Sequence, residues 1–429
     1  MKHIYQKIIC VIAMFFLLTF SPIVGYANTT EAPKEWNIWL ENLIREMKAK
    51  GISSSTLDNA YKNKNYYHEN PEVIQKDNKQ TEFILTTTEY VNRLVTKDRV
   101  RTAREHHKKL SKKYHKIEQK YGVPLNYLIS FWAVETNFGK NKGNYHLIDS
   151  LTNLSYNNRR SDFFKNELYN VLKIMDKNHL SEEKMLGSWA GAMGHFQFMP
   201  STYNHYAVDS DGDNFSDIWN SFDDAIASAA NYLSQIGWKK EHHWGTRVNL
   251  PWNFDYKNLG LHNSKKIKDW KNIGIKTYSG KSLQYDDNLT ASLILPDGRK
   301  GPAYIVLDNF KKIMIWNRSD NYAIAVATLA DYIANPNKKW SALKCPAQYI
   351  LNNKEIETIQ KFYNQISHKQ IDVDGKLGSK TRAAIKELQK KARLPQDGYP
   401  DYRLLNKIKK YNPKYGFSVP VQPQKHKHK

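Results

Sequence analysis

From Pro124 onward the hydrophobic positions step with a helical period: Leu128, Phe131, Trp132 and Glu135 stand at i, i+3, i+4 and i+7. The spacing predicts a helix that Gly122 separates from its predecessor, that carries Pro124 in its first turn and that runs to about Glu135. A carboxyl group thus falls on the face that ought to be buried. Buried, it would favour its neutral form, and its pKa would rise toward the range where a proton is given up and taken back near neutral pH. On residue types alone a second reading stays open, a glutamate at a fraying helix end that reaches water.

The same patterning organises the rest of the chain. Trp36, Trp39, Leu40, Leu43, Ile44 and Met47 mark an amphipathic helix that Gly51 ends. Residues 63–79 lack periodicity and read as a surface connection, and order returns from Phe83 to Val95, around Tyr90. Ala103, His107, Leu110, Tyr114, Ile117 and Tyr121 line a long helix, with His107 expected as a packed core histidine. A further helix is expected near Phe163 to Met175, with Arg159 and Arg160 in the turn before it. In GSWAGAMGHFQFMPSTY, Gly187 to Tyr203, glycines alternate with aromatics, which calls for a backbone that comes close to a ligand or to another helix.

Asp223 to Trp238 reads as helix, buried through Ile226, Ala229, Ala230 and Leu233. The pattern changes over about 245–310, where short apolar pieces such as SLILP and AYIVL predict a small β-rich insertion. Ile313 to Ala334 is α again. Beyond it Ile356, Ile359, Gln360 and Phe362, then Ala383 to Gln389, then Leu404 and Leu405 predict a three-helix unit punctuated by DVDGKLGSKT and LPQDGYP, two similar Asp–Gly turns. The expectation is a mainly α chain with the domains 1–27, 28–345 and 346–411 and a disordered basic tail, 412–429.

Composition adds an address. The chain has 429 residues, 40% hydrophobic and 13% aromatic, enough for more than one folded core. Lys2 and Lys7 precede an apolar run from Ile8 to Val24, and Gly25, Tyr26 and Ala27 follow it, the pattern of a secretory signal cut after Ala27; Pro22 argues against an uncleaved anchor. Cys10 lies within that signal without a lipoprotein box, so Cys345 is the only cysteine of the mature chain and no internal disulfide is expected. The formal net charge of +23 suits a polyanion. Nucleic acid and the peptide carboxylates of a cell wall both qualify, and a solvated basic surface is the plain alternative.

The run DSDGDNFSDIWN places Asp209, Asp211, Asp213 and Asp217 at positions 1, 3, 5 and 9 of an EF-hand-like loop, with the carbonyl of Phe215 at position 7. Asn214 stands where the turn glycine is expected and Asn220 where a bidentate glutamate would close the site. These departures point to weak, structural Ca²⁺ binding or to an Asp-rich turn with no ion. No organic cofactor is expected.

Taken in order, YGVP, VETNFGK, LSYNNRR, GAMGHFQFMPSTY, AVDSDGDNFSDIW, ANYLSQIGW and WNRSDNYAIAV resemble the membrane-bound lytic murein transglycosylase B family, here without a lipid anchor. The resemblance spans most of Trp36 to Ala334, and the C-terminal unit resembles a common peptidoglycan-binding module. It implies a lysozyme-like, mainly helical fold with a small β subdomain and a calcium loop. It implies Glu135 as the single acid/base, with Ser188, Gln197, Arg159 and Arg160 lining the sugar cleft and Tyr90, Asn317 and Tyr322 as further cleft positions. Trp316 stands where relatives often carry tyrosine, so stacking alone is its expected contact. The implied activity is water-free cleavage of the MurNAc–GlcNAc bond by an exported, periplasmic monomer that binds glycan strands and neither nucleic acid nor a membrane. A lysozyme-type hydrolase and a non-catalytic wall-binding protein are the alternatives.

Overall fold

Trp36, Leu43 and Met47 are buried along one face of the first helix, as their spacing requires, and Trp36 packs edge-on against Tyr156 at 5.0 Å. The computed structural model describes residues 34–62, 72–74, 85–156, 160–256, 259–344, 351–411 and Phe417. The signal segment with Cys10, most of the 63–79 connection, Arg159, Cys345 and the tail beyond 411 save Phe417 lie outside the described residues. The chain is mainly helical, with small sheets.

In chain order, α1 (Lys34–Ala49), α2 (Ser54–Tyr61), α3 (Thr87–Leu94), α4 (Lys97–Tyr121) and α5 (Leu125–Thr136) are followed by β1 (Tyr145–His146), α6 (Leu147–Ser155), α7 (Ser161–Asn178), β2 (Leu186–Gly187), α8 (Pro200–Tyr206) and α9 (Phe222–Gln235). Then come β3 (Gly245–Asn249), β4 (Ser264–Lys266), α10 (Ile267–Asn272), β5 (Lys276–Thr277), β6 (Thr290–Ile294), β7 (Ala303–Val306), α11 (Asp308–Trp316) and α12 (Asp320–Ala334). The last helices are α13 (Asn353–Ile366), α14 (Ser379–Lys391) and α15 (Tyr402–Lys409). The chain divides into two compact units, the first holding the N-terminal segment to Gln80 with Leu94–His242 and Lys312–Ser341, the second holding Thr81–Arg93, His243–Lys311 and Ala342 onward.

The first unit is helical and is centred on α5. Gly122, at φ 70°, ends α4 in the left-handed region, where glycine meets no Cβ penalty. Pro124 is the residue before α5 rather than part of its first turn, and Glu118 Oε1 caps that end by accepting from Leu125 N at 2.6 Å. Leu128, Phe131 and Trp132 are buried as their spacing predicts. Ser130 Oγ donates to the carbonyl of Val326 at 2.6 Å and Asn126 Nδ2 to that of Ala330 at 3.1 Å, so α5 is bonded along α12, whose buried alanines allow the close approach. Ala103 and Tyr114 of the expected stripe of α4 are buried, whereas His107 is only half-buried, and the neighbouring His106 packs on the α5 tryptophan, 4.9 Å from Trp132.

The second unit contains the expected β-rich insertion as an antiparallel sheet of five strands in the order β4-β6-β7-β3-β5. Its core gathers Val248, Phe254, Ile267, Trp270, Leu293 and Ile305, and Trp270 satisfies its indole N–H on the carbonyl of Ala291 at 3.0 Å. Gly245 pairs with Val306, and a Cβ there would sit 2.1 Å from the carbonyl oxygen of Ile305, so only glycine fits. The three C-terminal helices close over Ile356, Ile359, Ile385, Leu388, Leu404 and Leu405. Asn352 opens α13 with a capping box to Glu355. The N-terminus of α3 is held within the same unit by Asp297, whose carboxylate accepts from Thr87 N and Oγ1.

Candidate active site

Glu135 lies in the last turn of α5, and the backbone reverses directly after it. Asn137, Phe138 and Gly139 all have positive φ, at 49°, 61° and 78°. Consecutive left-handed residues of this kind carry strain that the surroundings must hold. Thr136 Oγ1 donates to the carbonyl of His195 at 2.8 Å and accepts from Gly139 N at 3.0 Å. A Cβ on Gly139 would lie 2.6 Å from His195 Cε1, so the glycine of the ETNFG run is what lets the GHFQF loop close on the end of α5.

Two donors converge on the carboxyl group. The WNRSDNY run ends α11 at Trp316 and starts α12 after Ser319, whose Oγ accepts from Tyr322 N at 3.2 Å. This short turn sends both aromatic side chains to one place. Trp316 Nε1 donates to Glu135 Oε1 at 3.1 Å, and the hydroxyl of Tyr322 donates to the same oxygen. The indole is fixed by rings on several sides, Phe131 at 4.5 Å, Tyr232 at 5.0 Å and Phe198 at 5.4 Å. The expectation of stacking alone for Trp316 is therefore corrected: the indole stacks and also donates, because the aromatic packing aims its N–H at the carboxyl group.

Burial pushes the Glu135 carboxyl up to about 7, against the opposing pull of the hydrogen bonds from Tyr322 and Trp316, and no charged group is among the causes. The residue nevertheless keeps partial solvent access. A deep carboxyl group with one oxygen held by two donors and the other, Oε2, without a hydrogen-bond partner among the described residues is equipped to pass a proton to a bound molecule.

The other expected site residues are placed as follows. Gln197 adopts φ 51° and donates from Nε2 to the carbonyls of Gly194 at 3.0 Å and Lys142 at 3.1 Å. Ser188 is fully buried, and its Oγ accepts from Ala192 N at 2.9 Å. Asn317 is buried beside Trp316 in the turn that carries Tyr322. Arg160 precedes α7 with its guanidinium 4.9 Å over the Phe164 ring, and Tyr90 is buried on α3 in the second unit. The structure thus joins Tyr322 to Glu135 directly. His195, which the sequence did not single out, accepts from Trp132 Nε1 at 3.0 Å on Nδ1, and its pKa is lowered to about 4 by burial and by Lys142. It is a neutral structural acceptor at the end of α5.

The acidic loop brings Asp209, Asp211 and Asp213 together with Asp224, their nearest carboxylate oxygens all within 4.8 Å of one another. Asp224 comes from the first turn of α9 and was not legible as part of the loop motif. Asp217 instead turns its Oδ1 to the N–H groups of Trp219 at 3.0 Å and Asn220 at 2.9 Å, and the carbonyl of Phe215 accepts from Asp217 N at 3.0 Å. Asn214 takes the left-handed conformation at φ 70°, as its place in the motif demands. Hard carboxylate oxygens this close repel one another and suit a Ca²⁺ ion, which Asp209, Asp211, Asp213 and Asp224 would hold.

Residues 35–331 match the family model described as "Transglycosylase SLT domain", and residues 352–408 match "Putative peptidoglycan binding domain". The chain is 36% identical over 220 residues to membrane-bound lytic murein transglycosylase B of Escherichia coli K12, a match that spans 50% of this chain and 58% of that protein. Among solved structures it resembles SltB3 of Pseudomonas aeruginosa in complex with NAG-anhNAM-pentapeptide, with TM-score 0.79 and 34% identity over 89% of this chain and 100% of the other. It also resembles the Escherichia coli lytic transglycosylase Slt35 in complex with calcium, with TM-score 0.59 and 27% identity over 69% of this chain and 92% of the other.

Proposed function

The chain belongs to the transglycosylase SLT family, and from that premise we propose that it is a lytic transglycosylase that cuts the MurNAc–GlcNAc bond of peptidoglycan and leaves 1,6-anhydro ends. The observation that carries this reading is the carboxyl group of Glu135, pushed up by burial and hydrogen-bonded, among the described residues, to Trp316 and Tyr322. A retaining glycosidase uses a second carboxylate about 5 Å away as nucleophile. Here the partners of Glu135 are an indole and a phenol, neither of which supplies that function.

One carboxyl group suffices if the nucleophile belongs to the substrate. Protonated Glu135 gives its proton to the glycosidic oxygen as the C1–O bond breaks, and the electron pair leaves with the departing sugar. The sugar cation at C1 is stabilised by its own N-acetyl group. The carboxylate then removes the proton of the 6-hydroxyl as O6 bonds to C1, which closes the anhydro ring and restores the acid. No water enters. Holding the 6-hydroxyl near C1 makes the second step intramolecular, an advantage worth several kcal/mol. Trp316 and Tyr322 stabilise the carboxylate between the two proton transfers through Oε1.

Ser188, Gln197, Arg160 and Asn317 are proposed to line the glycan cleft with Tyr322, as is Arg159 outside the described residues, with the arginines suited to stem-peptide carboxylates. A domain division at 28–345 and 346–411, with the second part holding the wall, agrees with the two family matches. Bound Ca²⁺ would pin the loop that leads into α9 and takes no part in the chemistry. Activity on peptidoglycan places the protein outside the cytoplasm, and the N-terminal signal favours the periplasm; among the described residues no helix is long and apolar enough to cross a membrane.

The deciding experiment is mass spectrometry of muropeptides released from sacculi by the purified protein. Anhydro ends, one water lighter than hydrolytic ends, are the expected product; reducing ends alone would assign a hydrolase, and no release would leave a wall-binding protein.

A further inference from the structure

The C-terminal module builds one device twice. Gln360 on α13 donates from Nε2 to Asp374 Oδ1 at 2.9 Å and accepts on Oε1 from Asp374 N at 3.0 Å and Gly375 N at 2.9 Å, while Lys376 N donates to the same Asp374 Oδ1 at 2.9 Å. Gln389 on α14 donates from Nε2 to Asp397 Oδ1 at 2.6 Å and accepts from Gly398 N at 2.9 Å, while Tyr399 N donates to Asp397 Oδ1 at 3.0 Å. The two glycines share one conformation, φ 67° at Gly375 and 71° at Gly398. Each is backed by the helix residue two turns before its glutamine: a Cβ would lie 3.0 Å from the carbonyl oxygen of Asn353 and 3.2 Å from that of Arg382.

The copies differ in what the second carboxylate oxygen holds. Asp397 Oδ2 accepts the backbone N–H of Arg299 at 3.0 Å. Arg382 Nη2 donates to the carbonyl of Pro296 at 2.8 Å, and Lys386 Nζ donates to that of Leu259 at 3.1 Å. Gly298 lies between the gripped groups at φ 70°, and a Cβ on it would come within 2.5 Å of Tyr399 Cβ. The second copy is thus a peptide clamp that takes one N–H, two carbonyls and a residue at positive φ, all from segments of this same chain.

In the first copy Asp374 is half-buried, and its Oδ2 has no partner among the described residues. We propose that the Asp374–Lys376 turn is a peptide clamp of the same design whose occupant is a peptidoglycan stem peptide. Asp374 Oδ2 takes a peptide N–H, as Asp397 Oδ2 takes that of Arg299. The place held by Gly298 falls to a D-residue, for which positive φ is the unstrained conformation and whose side chain is directed opposite to that of an L-residue. Glu357, three residues before Gln360 as Lys386 is before Gln389, is an acid where the second copy has a lysine, so this end favours a free ammonium group of a stem over a carbonyl. Only the choice of stem peptide rests on the proposed function; the clamp itself rests on the internal comparison.

The test uses the full-length protein and a synthetic stem-type pentapeptide with lysine third and D-Ala–D-Ala at its end, beside its all-L isomer. Amide shifts of Asp374, Gly375 and Lys376 should move with the D-peptide and saturate. Asp374→Asn keeps an oxygen for the turn contacts and places an amide donor toward the ligand; it should weaken binding by about tenfold or more, the worth of a hydrogen bond to a charged group. The all-L peptide should bind at least about tenfold more weakly than the D-peptide. Saturable shifts confined to another face, equal affinity of the wild type and Asp374→Asn, equal affinity for the two isomers, or no binding at millimolar peptide would each overturn the proposal. Anhydro-product formation by the wild-type protein is measured separately, so loss of the enzymatic reading and loss of the clamp give different results.

Discussion

Trp316 Nε1 and Glu135 Oε1 are 3.1 Å apart, and the indole cannot turn away because Phe131, Phe198 and Tyr232 pack around it. An indole N–H donates and never accepts. It therefore holds Oε1 as an acceptor whether or not the acid is protonated, and the mobile proton belongs on Oε2. Trp316→Phe removes one donor from the carboxylate, which should raise the Glu135 pKa by about one unit and lower kcat by about tenfold, with KM little changed. Trp316→Tyr, which can restore a donor, should recover part of the loss. Unchanged pH–rate profiles in a folded Trp316→Phe protein would assign the indole to packing alone.

The first proton transfer needs Glu135 protonated in the free enzyme. With its carboxyl pushed up to about 7, kcat/KM should be level through mildly acidic pH and fall above about 7, roughly tenfold per unit. Rates of soluble muropeptide formation across pH 5–9 measure this limb. An alkaline limb near 4.5, the ordinary glutamate value, would show that the site does not bury its acid.

Glu135→Gln should abolish anhydro-product formation by a factor of about 10² to 10⁴ while the chain stays folded. It should also change stability in a defined direction. The folded pKa of about 7 exceeds the ordinary 4.5, so the native state binds more protons; the stability this confers is fully present below about 4.5 and lost as pH rises through 7. At pH 8 the ionised, buried wild-type group costs roughly 3 kcal/mol that the neutral amide avoids. Urea melts at pH 8 should therefore favour Glu135→Gln, with the difference shrinking as pH falls from about 7 to 4.5 and level below that. Parallel stability curves for the two proteins would contradict the burial argument.

Ca²⁺ should raise the melting temperature by several degrees at concentrations about a hundredfold above its Kd, and EDTA should reverse the shift. Asp224→Asn should remove most of this Ca²⁺-dependent increment, whereas Asp217→Asn should leave it largely in place, because Asp224 and not Asp217 stands among the four carboxylates that converge within 4.8 Å. The quantity compared is the increment with and without the ion, which is separate from any change in basal stability. Equal loss in both variants would return Asp217 to the ligand set.

Much of this molecule was legible before its structure. The helix ending at Glu135, the β-rich insertion and the three C-terminal helices each follow from local periodicity and from Gly, Pro and Asp–Gly punctuation, because burying one face of a helix or strand constrains residues close in sequence. The acidic loop was visible for the same reason. Glu135 stood out because a carboxyl group on an apolar stripe is costly wherever that stripe is buried.

What only the tertiary structure decided is who meets whom across the chain. Trp316 and Tyr322 lie far from Glu135 in sequence, and nothing in WNRSDNY says that its turn aims both donors at one oxygen. Asp224 joins the acidic loop from the following helix, where it comes within 4.8 Å of Asp209, Asp211 and Asp213, while Asp217 is turned to the N–H groups of Trp219 and Asn220. His106 meets Trp132 and His107 stays half-buried, a pairing across two helices that the period of one helix does not specify. The sequence determined which groups are available and which local structures carry them. Packing alone determined the environment of the acid, and the environment is what moves its pKa to about 7.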